Sequence, residues 1–504
     1  MRDYVLITGA TGLLGAYLLR DALLSGTRCA VLVRSNRFEK AASRVESLLA
    51  RFERATGVAT PRPVVLEGAL TENLGLDREA TEWVRRHCGR ILHNAASLSF
   101  ERDPKTDEPY RSNVAGCRYA VEFALNCGIP QFHHVSTAYV CGLRSGICRE
   151  EELDVGQSWG NDYEKAKVEA EKIVRAAAFP EPPTIYRPAI ITGDSVNGYT
   201  STYHGFYTPL KVASALVAER AFRGSSDDIV HFLGMSGSEH KNFVPVEWVS
   251  RAIVALMNRP ESVGSTFHLT PRNRPTVREM YDVFTEALKN YGADRETSPK
   301  SSGAPLAPEV LEALLTSFRD QMKVYRSYWR DDPIFDSSNT DAALPDLPCP
   351  EMTREVLARL SKYALDVNFG WPKPQPIVPK FFVRDLLPIE PSFAPLSRTP
   401  DAFAAAISIQ GSGGGDWTVA IEEGAIGSVE EGIATSSDAR LSTSSRTLDA
   451  LREGLVSPEA AVASGAVVWE TSNSSLQSAA IASRFLKIFA SSLTSTSEPT
   501  GEKG

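Results

Sequence analysis

The chain has 504 residues, of which 42% are hydrophobic and 23% charged, enough for two or more domains with their own cores and ordinary for a soluble globular protein. A formal net charge of −8 without any basic cluster gives no case for nucleic acid, and no apolar run reaches the length of an integral membrane segment. The seven cysteines are scattered without C-x-x-C spacing, and the N-terminus runs straight into an apolar strand, so no disulfide framework, metal site or signal peptide is expected and the compartment is read as cytoplasmic.

Tyr4-Val5-Leu6-Ile7 reads as a short buried strand, and Leu13 to Leu24 as an apolar helix ended by Gly26. Between them Thr8-Gly9-Ala10-Thr11-Gly12-Leu13-Leu14-Gly15 spaces three glycines as G-x-x-G-x-x-G. In this context the first glycine permits the turn and the second lets backbone approach a pyrophosphate. The third lets the helix sit close on the strand. Alone, the pattern also fits a tight turn with no ligand. Preceded by Thr8, it resembles the extended short-chain dehydrogenase/reductase family. The resemblance implies that Thr8, Gly9, Thr11, Gly12, Leu13, Leu14 and Gly15 hold a dinucleotide.

Cys29 to Val33 reads as the second strand. Where an acid usually bonds the ribose 2′-hydroxyl, this chain has Arg34, then Arg37, and Arg44 on a helix over Glu39 to Ala55. A guanidinium can grip a 2′-phosphate bidentately, so NADPH rather than NADH is expected, although Arg34 alone also fits a solvated strand-end charge. The Val33-Arg34 pair, followed ten residues later by Arg44, also resembles the thioester-reductase branch of the family, where such arginines hold that phosphate. Val64 to Glu67 reads as strand three. The Gly68-Ala69-Leu70 after it stands where the family has Gly-Asp-Leu, so adenine contact falls to Ala69 and Leu70 without the usual carboxylate. Ile91-Leu92-His93-Asn94-Ala95-Ala96 resembles the family's fourth strand, implying that Asn94, Ala95 and Ala96 border the cofactor. Tyr110 to Asn126 reads as a helix, and its Asn113-Val114 matches the family helix at the sheet centre.

The fifth strand, Gln131 to Val135, leads into Ser136-Thr137-Ala138-Tyr139-Val140-Cys141-Gly142. The family's catalytic Ser/Thr falls on Thr137, five residues before the glycine, with Ser136 its easily mistaken neighbour. Asn161-Asp162-Tyr163-Glu164-Lys165-Ala166-Lys167 opens a helix to about Ala178. Tyr163 and Lys167, four apart, share one helical face, whereas Lys165 points elsewhere. Hydride reduction of a carbonyl leaves an oxyanion that needs a proton from a well-placed acid. A tyrosine with a pKa near ~10 is a reluctant donor, and a neighbouring cation favours tyrosinate. The resemblance therefore implies that Tyr163 is the acid. Thr137 would bond the substrate oxygen, and Lys167 would hold the nicotinamide ribose while lowering the tyrosine pKa.

Thr184 to Gly193 resembles the family's sixth strand, whose exit, here Arg187, Pro188 and Ile190, passes the nicotinamide. The aromatic group Tyr199, Tyr203, His204, Phe206 and Tyr207 follows, and substrate contact is placed at Ser99, Thr137, Tyr199, Tyr203 and Phe206, with packing the competing reading. The eight histidines show no metal spacing. Asn242 to Val249 and Thr266 to Thr270 match late family segments that return to the core. From Thr276 to about Trp371 amphipathic helices, such as Glu309 to Tyr325, alternate with polar loops. Tyr328-Trp329 and Phe335-Asp336 resemble the C-terminal part of thioester-reductase-type proteins.

Pro372-Lys373-Pro374-Gln375-Pro376 reads as a stiff linker. Beyond it, Asp401 to Gly504 carries 6 basic and 13 acidic residues, so −7 of the −8 net charge lies there. Strands are expected at Trp417 to Glu422, after Gly424, at Asp438 to Thr443 and at Ala466 to Trp469. Helices are expected at Thr447 to Glu453, Pro458 to Ala463 and Leu476 to Ala490. This order, with Gly413-Gly414-Gly415-Asp416-Trp417, Asp438-Ala439-Arg440-Leu441 and Gly454-Leu455-Val456-Ser457-Pro458, resembles the sterol carrier protein type-2-like domain. That family folds five strands and several helices around an apolar tunnel. Its usual Glu-Gly-Asp is here Glu470-Thr471-Ser472.

The expected architecture is α/β: a Rossmann doubly wound parallel sheet with a small substrate subdomain over 1–371, an α+β sterol-carrier-like lipid-binding domain over 372–490, and a disordered tail over 491–504. The implied activity is NADPH-dependent reduction of a lipophilic carbonyl. The substrate would be an acyl thioester on a carrier protein or coenzyme A, yielding aldehyde or alcohol. Ketone reduction on a hydrophobic natural product or steroid-like molecule is the alternative enzyme. A non-catalytic lipid carrier with a vestigial reductase fold is the alternative of another class, and the intact Thr137, Tyr163 and Lys167 set argues against it.

Overall fold

The computed structural model describes residues 2–218, 230, 235–296, 325–385, 403–422, 425–434, 437–471, 482 and 486. Strands run in chain order from β1 (Tyr4–Thr8), β2 (Arg28–Val33), β3 (Val64–Glu67) and β4 (Cys88–His93) to β5 (Gln131–Val135) and β6 (Ile147–Cys148). They continue with β7 (Thr184–Pro188), β8 (Ile190–Thr192), β9 (Phe243–Pro245), β10 (Thr266–Leu269) and β11 (Ile334–Phe335). A seven-stranded parallel sheet has the order β10-β7-β5-β4-β1-β2-β3. Val5, Leu6 and Ile7 are closed to water, as a parallel strand covered on both faces requires. The order reverses beside β1, where the strand order places a ligand crevice. Among the described residues no helix is long and apolar enough to cross a membrane.

Two compact units divide the chain. One contains Ile7–Asp21 and Gly68–Gln375. In it the helices α1 (Leu13–Leu24), α4 (Gly116–Asn126) and α5 (Asp162–Ala176) follow the stretches read from sequence, α3 (Arg78–His87) was not anticipated, and α4 is preceded by a π turn over Arg111–Ala115. Two short parallel pairs, β8 with β9 and β11 with β6, lie outside the large sheet. A separate apolar cluster of Phe206, Tyr207, Tyr281, Phe284, Leu357 and Leu360 forms the core of the later helices. Phe206 is thus a core residue, 1% exposed, and its expected substrate contact is corrected. Tyr203 and Tyr199 also pack on aromatics, on Phe369 and Tyr363 respectively, as the competing reading had it. The helix expected over Glu309 to Tyr325 lies outside the described residues save Tyr325.

The other unit gathers Met1–Leu6, Ala22–Glu67 and the chain from Pro376. Helix α2 (Ala41–Thr56) begins two residues later than expected, because Lys40 is extended at φ −69°, ψ 157°. The later part of this unit carries β12 (Phe403–Gln410), β13 (Gly415–Glu422), β14 (Ala425–Glu431), β15 (Ala439–Ser444) and β16 (Val467–Thr471), in the sheet order β14-β13-β12-β15-β16. The central strand β12 was not anticipated. Its Ala404-Ala405-Ala406 run has poor strand propensity, yet a middle strand buried on both faces favours small side chains. The antiparallel β12–β13 and parallel β12–β15 registers place Ile407 between Trp417 and Leu441. Short helices Ser445–Arg452 and Pro458–Ala463 contribute Leu448, Leu451 and Ala461 to the same core. The expected closing helix, Leu476 to Ala490, falls outside the described residues apart from Ala482 and Leu486.

Ile407 has no exposed surface and lies in the packed core of the sheet. Ile407→Ala is expected to destabilise this unit by about 2–5 kcal/mol, read as a lower urea midpoint in tryptophan fluorescence. An unchanged midpoint would show that the sheet is not a packed core.

Candidate active site

The glycine turn is shaped by what a side chain would strike. Gly9 has φ +72°, and a Cβ there would lie 2.7 Å from Ala95 Cα. A Cβ on Gly15 would lie 2.0 Å from Gly9 O, so the third glycine packs on the turn itself rather than on the strand. Gly12 donates its N–H to Gly9 O at 3.1 Å and would meet only that oxygen, at 3.5 Å, leaving an open backbone face at the start of α1. A phosphate group suits such a face and the helix N-terminus behind it. Thr8 Oγ1 accepts the Ala95 N–H and bonds His93 Nδ1 at 2.9 Å, and Asn94 Nδ2 donates to Gly9 O at 3.3 Å. Asn94 therefore braces the turn through backbone.

Asn113 is corrected as a cofactor residue. Its Oδ1 accepts Ser97 N–H at 2.7 Å and its Nδ2 donates to Ser97 O at 3.1 Å, so its amide holds the loop after β4. Ser99, expected at the substrate, receives a hydrogen bond from Ser97 Oγ at 3.2 Å. Ala69 and Leu70 sit half-buried after β3, with Ala69 N bonded to Leu74 O. Arg34 is exposed after β2, and Arg44 Nη1 donates to its carbonyl at 2.5 Å. Burial and the Arg34 charge together pull the Arg44 guanidinium below its usual range.

Thr137 lies two residues past the end of β5 and caps the short turn Ala138–Cys141, where its Oγ1 accepts the Tyr139 N–H at 3.3 Å and donates to Pro188 O at 3.5 Å. Tyr163 stands in the first turn of α5, capped by Asn161, whose Oδ1 accepts the Glu164 N–H at 2.9 Å. Burial pushes the Tyr163 phenol up to about 12, against a hydrogen bond with Thr137 that lowers it. One turn on, Lys167 is 3% exposed and donates to Val135 O at 2.7 Å. Burial draws its ammonium down to about 8, while Cys117 and Glu171 work the other way. Lys165 is exposed, as its position required. Buried Ser136 keeps its hydroxyl off the site's hydrogen bonds.

Arg187 is likewise corrected as a cofactor residue. Its guanidinium is closed to water and donates to both Glu171 oxygens, at 3.1 and 2.6 Å, and to the carbonyls of Glu150 and Glu152. It holds β7 to α5 and is not open to a cofactor; Pro188 and Ile190 follow it as buried and half-buried neighbours. Sequence spacing also missed a convergence of His93, Cys117 and His134, whose donor atoms lie within 4.8 Å of one another. His93 and His134 face each other in register on β4 and β5, information that lies in strand pairing and not in sequence distance. Burial first, and the Lys167 charge next, hold both imidazoles neutral, and that same charge opposes a cation there.

Residues 7–253 match the family model described as male sterility protein, an NAD-binding domain. Over these residues the chain is similar to NAD(P)-binding reductase domains. The domain is similar to the terminal R domain from the myxalamid PKS-NRPS biosynthetic pathway, with 26% identity and a TM-score of 0.55 over 74% of this chain and 92% of that one. A thiolation-reductase di-domain from an archaeal non-ribosomal peptide synthetase shares the fold, with 20% identity and a TM-score of 0.54 over 73% and 76% of the two chains. Isonitrile lipopeptide synthase of Streptomyces coeruleorubidus is 29% identical over 58% of this chain but only 19% of its own length. Aldehyde reductase lnaA of Aspergillus flavus is 24% identical over 73% of this chain and 36% of its own. The chain thus spans well under half of these curated relatives.

Gly15→Ala forces a Cβ into Gly9 O and is expected to raise the Kd of the reductase-type domain for the nicotinamide dinucleotide at least about tenfold, measured by fluorescence titration. Unchanged affinity would mean that the turn is not where the phosphates rest.

Proposed function

We propose that the chain is an NADPH-dependent reductase of a lipophilic acyl thioester, carried on a carrier protein or coenzyme A, giving aldehyde or alcohol. The observation that carries this reading is the convergence of buried Thr137, whose hydroxyl favours the Tyr163 phenolate, with Tyr163 and buried Lys167 one turn apart on α5. Names of relatives agree, among them the terminal R domain and the aldehyde reductase.

The open face at Gly12 and the start of α1 fit the pyrophosphate, and Lys167 fits the nicotinamide ribose. Arg34 and Arg44, two guanidinium groups close enough to disfavour each other's charge, fit the 2′-phosphate of NADPH. When bound, NADPH supplies the hydride for the carbonyl carbon. At neutral pH Tyr163 carries its proton, the form an acid needs, and gives it to the carbonyl oxygen as negative charge develops there. Thr137 bonds the same oxygen and fixes the tyrosine against it. The resulting hemithioacetal releases the thiol and leaves the aldehyde. Thr137 is 5% exposed and Tyr163 half-buried, and this low-dielectric setting strengthens their polar contacts.

For the C-terminal sheet we propose a sterol-carrier-like domain over 372–490 that takes the apolar part of substrate or product, after a reductase over 1–371; residues 491–504 lie outside the description. Its support is a five-stranded sheet with two short helices closing one core, the number of strands that the resemblance implies.

With long-chain acyl thioesters, NADPH oxidation is expected with thiol release, one NADPH per thiol where the product is aldehyde and two where it is alcohol. Tyr163→Phe should lower kcat by about 10²–10⁴-fold while leaving cofactor affinity unchanged. Full activity in that variant overturns the mechanism, and NADPH loss without thiol moves the reading to ketone reduction. Arg34→Ala is expected to weaken NADPH binding about tenfold or more with NADH binding unaffected; equal losses for both would remove the 2′-phosphate assignment.

A further inference from the structure

The ring of Tyr163 is held by more than its own helix. Phe100 meets it edge-on at 5.9 Å between centroids. Phe100 is in turn edge-on to Tyr325 at 5.1 Å and tilted against Tyr328 at 5.6 Å. Its backbone is fixed as well, since the Asp162 N–H donates to Phe100 O at 2.9 Å. The hydroxyl of Tyr328 reaches the cap of α5. Asn161 Nδ2 donates to it at 3.1 Å, and it bonds the Glu164 carboxylate, which also accepts the Gly160 N–H at 2.8 Å. One tyrosine therefore touches both the ring that abuts Tyr163 and the two residues that start its helix.

The segment that delivers Tyr328 is itself pinned. Arg330 donates to the carbonyls of Gly142, Leu143 and Arg144 at 2.9, 2.9 and 3.0 Å. Lys241 Nζ bonds the carbonyls of Tyr328 and Arg330. Asp332 accepts the Tyr139 hydroxyl at 2.7 Å, and the Tyr139 ring lies edge-on to Tyr328 at 5.4 Å. Ser327 fills the place left by the missing side chain of Gly160, where a Cβ would come within 2.7 Å of the serine Cβ. A tightly fixed tyrosine with its hydroxyl on a helix cap has little freedom to do anything but hold that cap.

We infer that Tyr328 is a positioning residue for Tyr163: its hydroxyl locks the Asn161 and Glu164 cap, and its ring braces Phe100 against the catalytic ring. The inference rests on the reading of Tyr163 as the proton donor. Proton transfer is steep in geometry, and a misplacement of about 1 Å can cost on the order of 10²-fold in rate. Tyr328→Phe keeps the ring and its packing but takes the hydroxyl from the cap, leaving Asn161 and Glu164 one partner short.

The test uses the full chain with [ζ-13C]tyrosine, in which the Tyr163 resonance is the one that Tyr163→Phe removes. In Tyr328→Phe that resonance should move, and its titration midpoint should fall from about 12 as water reaches the loosened helix start. In turnover, kcat should drop about tenfold with an unchanged KM for NADPH and an enlarged solvent deuterium isotope effect, and Phe100→Leu should reproduce the pattern. A Tyr163 resonance and titration coincident with those of the unaltered protein would overturn the inference, even if melting shows Tyr328→Phe to be less stable. The resonance needs no substrate. Absence of thioester reduction by the unaltered protein would therefore count against the proposed activity alone, while the spectra still decide the role of Tyr328.

Discussion

Arg187 and Glu171 face each other at 2.6 Å with side chains 1% and 0% exposed, and the face of α5 that carries Tyr163 and Lys167 is anchored by that pair. Tyr163, Lys167, Glu171 and Arg175 follow at intervals of four along one side of the helix. The lower half of this stripe is an ion network, in which Glu171 accepts from both Arg175 and Arg187. The upper half holds the proposed proton donor and its lysine. Removing one member of a buried pair leaves an uncompensated charge, at a cost of about 3–5 kcal/mol. Such an anchor fixes where α5 lies on β7 and so brings Lys167 against the end of β5, where its ammonium finds the Val135 carbonyl. A buried ammonium is tolerated here because a carbonyl bonds it and the Glu171 carboxylate lies one turn away.

What could be read from the sequence was local and periodic. The glycine turn, the strands β1 to β5 and the four-residue spacing of Tyr163 and Lys167 all repeat at the period of their element, so one chain suffices to place them. What escaped depends on partners far away in sequence. Arg187 sits in a strand exit expected to pass the cofactor, but only the fold shows its guanidinium turned to Glu171 and to the carbonyls of Glu150 and Glu152. Phe206 lies in an aromatic-rich stretch that reads equally as pocket or core, and the choice is made by Phe243 and Phe284, which meet its ring at 5.5 and 5.1 Å. β12 was hidden because its alanines carry no strand preference of their own; the two neighbouring strands impose the conformation. The aromatics beside Tyr163 come from opposite ends of the domain, and no spacing rule links Phe100 to Tyr328.

In the second unit, polarity is managed differently. Arg62 is 5% exposed and is held between Glu46, at 2.8 Å, and Glu53, at 2.6 Å, with the Thr60 carbonyl as a further acceptor. These bonds shape the turn between α2 and β3, and Gly411 N donates to the Thr60 carbonyl at 3.2 Å. Ile377 N donates to Ser47 Oγ at 2.9 Å. The early βα segment and the C-terminal sheet thus share one hydrogen-bond system, with the charges of Arg62 satisfied wholly inside it.

The hydrogen bond from Ile433 N to the Tyr4 hydroxyl, at 2.9 Å, closes the same unit across 429 residues of chain. A ribosome adding roughly 5–20 residues per second needs on the order of 20–90 s to make that stretch. Tyr4 therefore leaves the exit tunnel long before its Ile433 partner exists, and waits for it. Contacts of such span slow the final folding step, because the loop must close before the bond can reward it. The order of manufacture is the reverse of the order of completion: this unit, begun before the other, is finished after it.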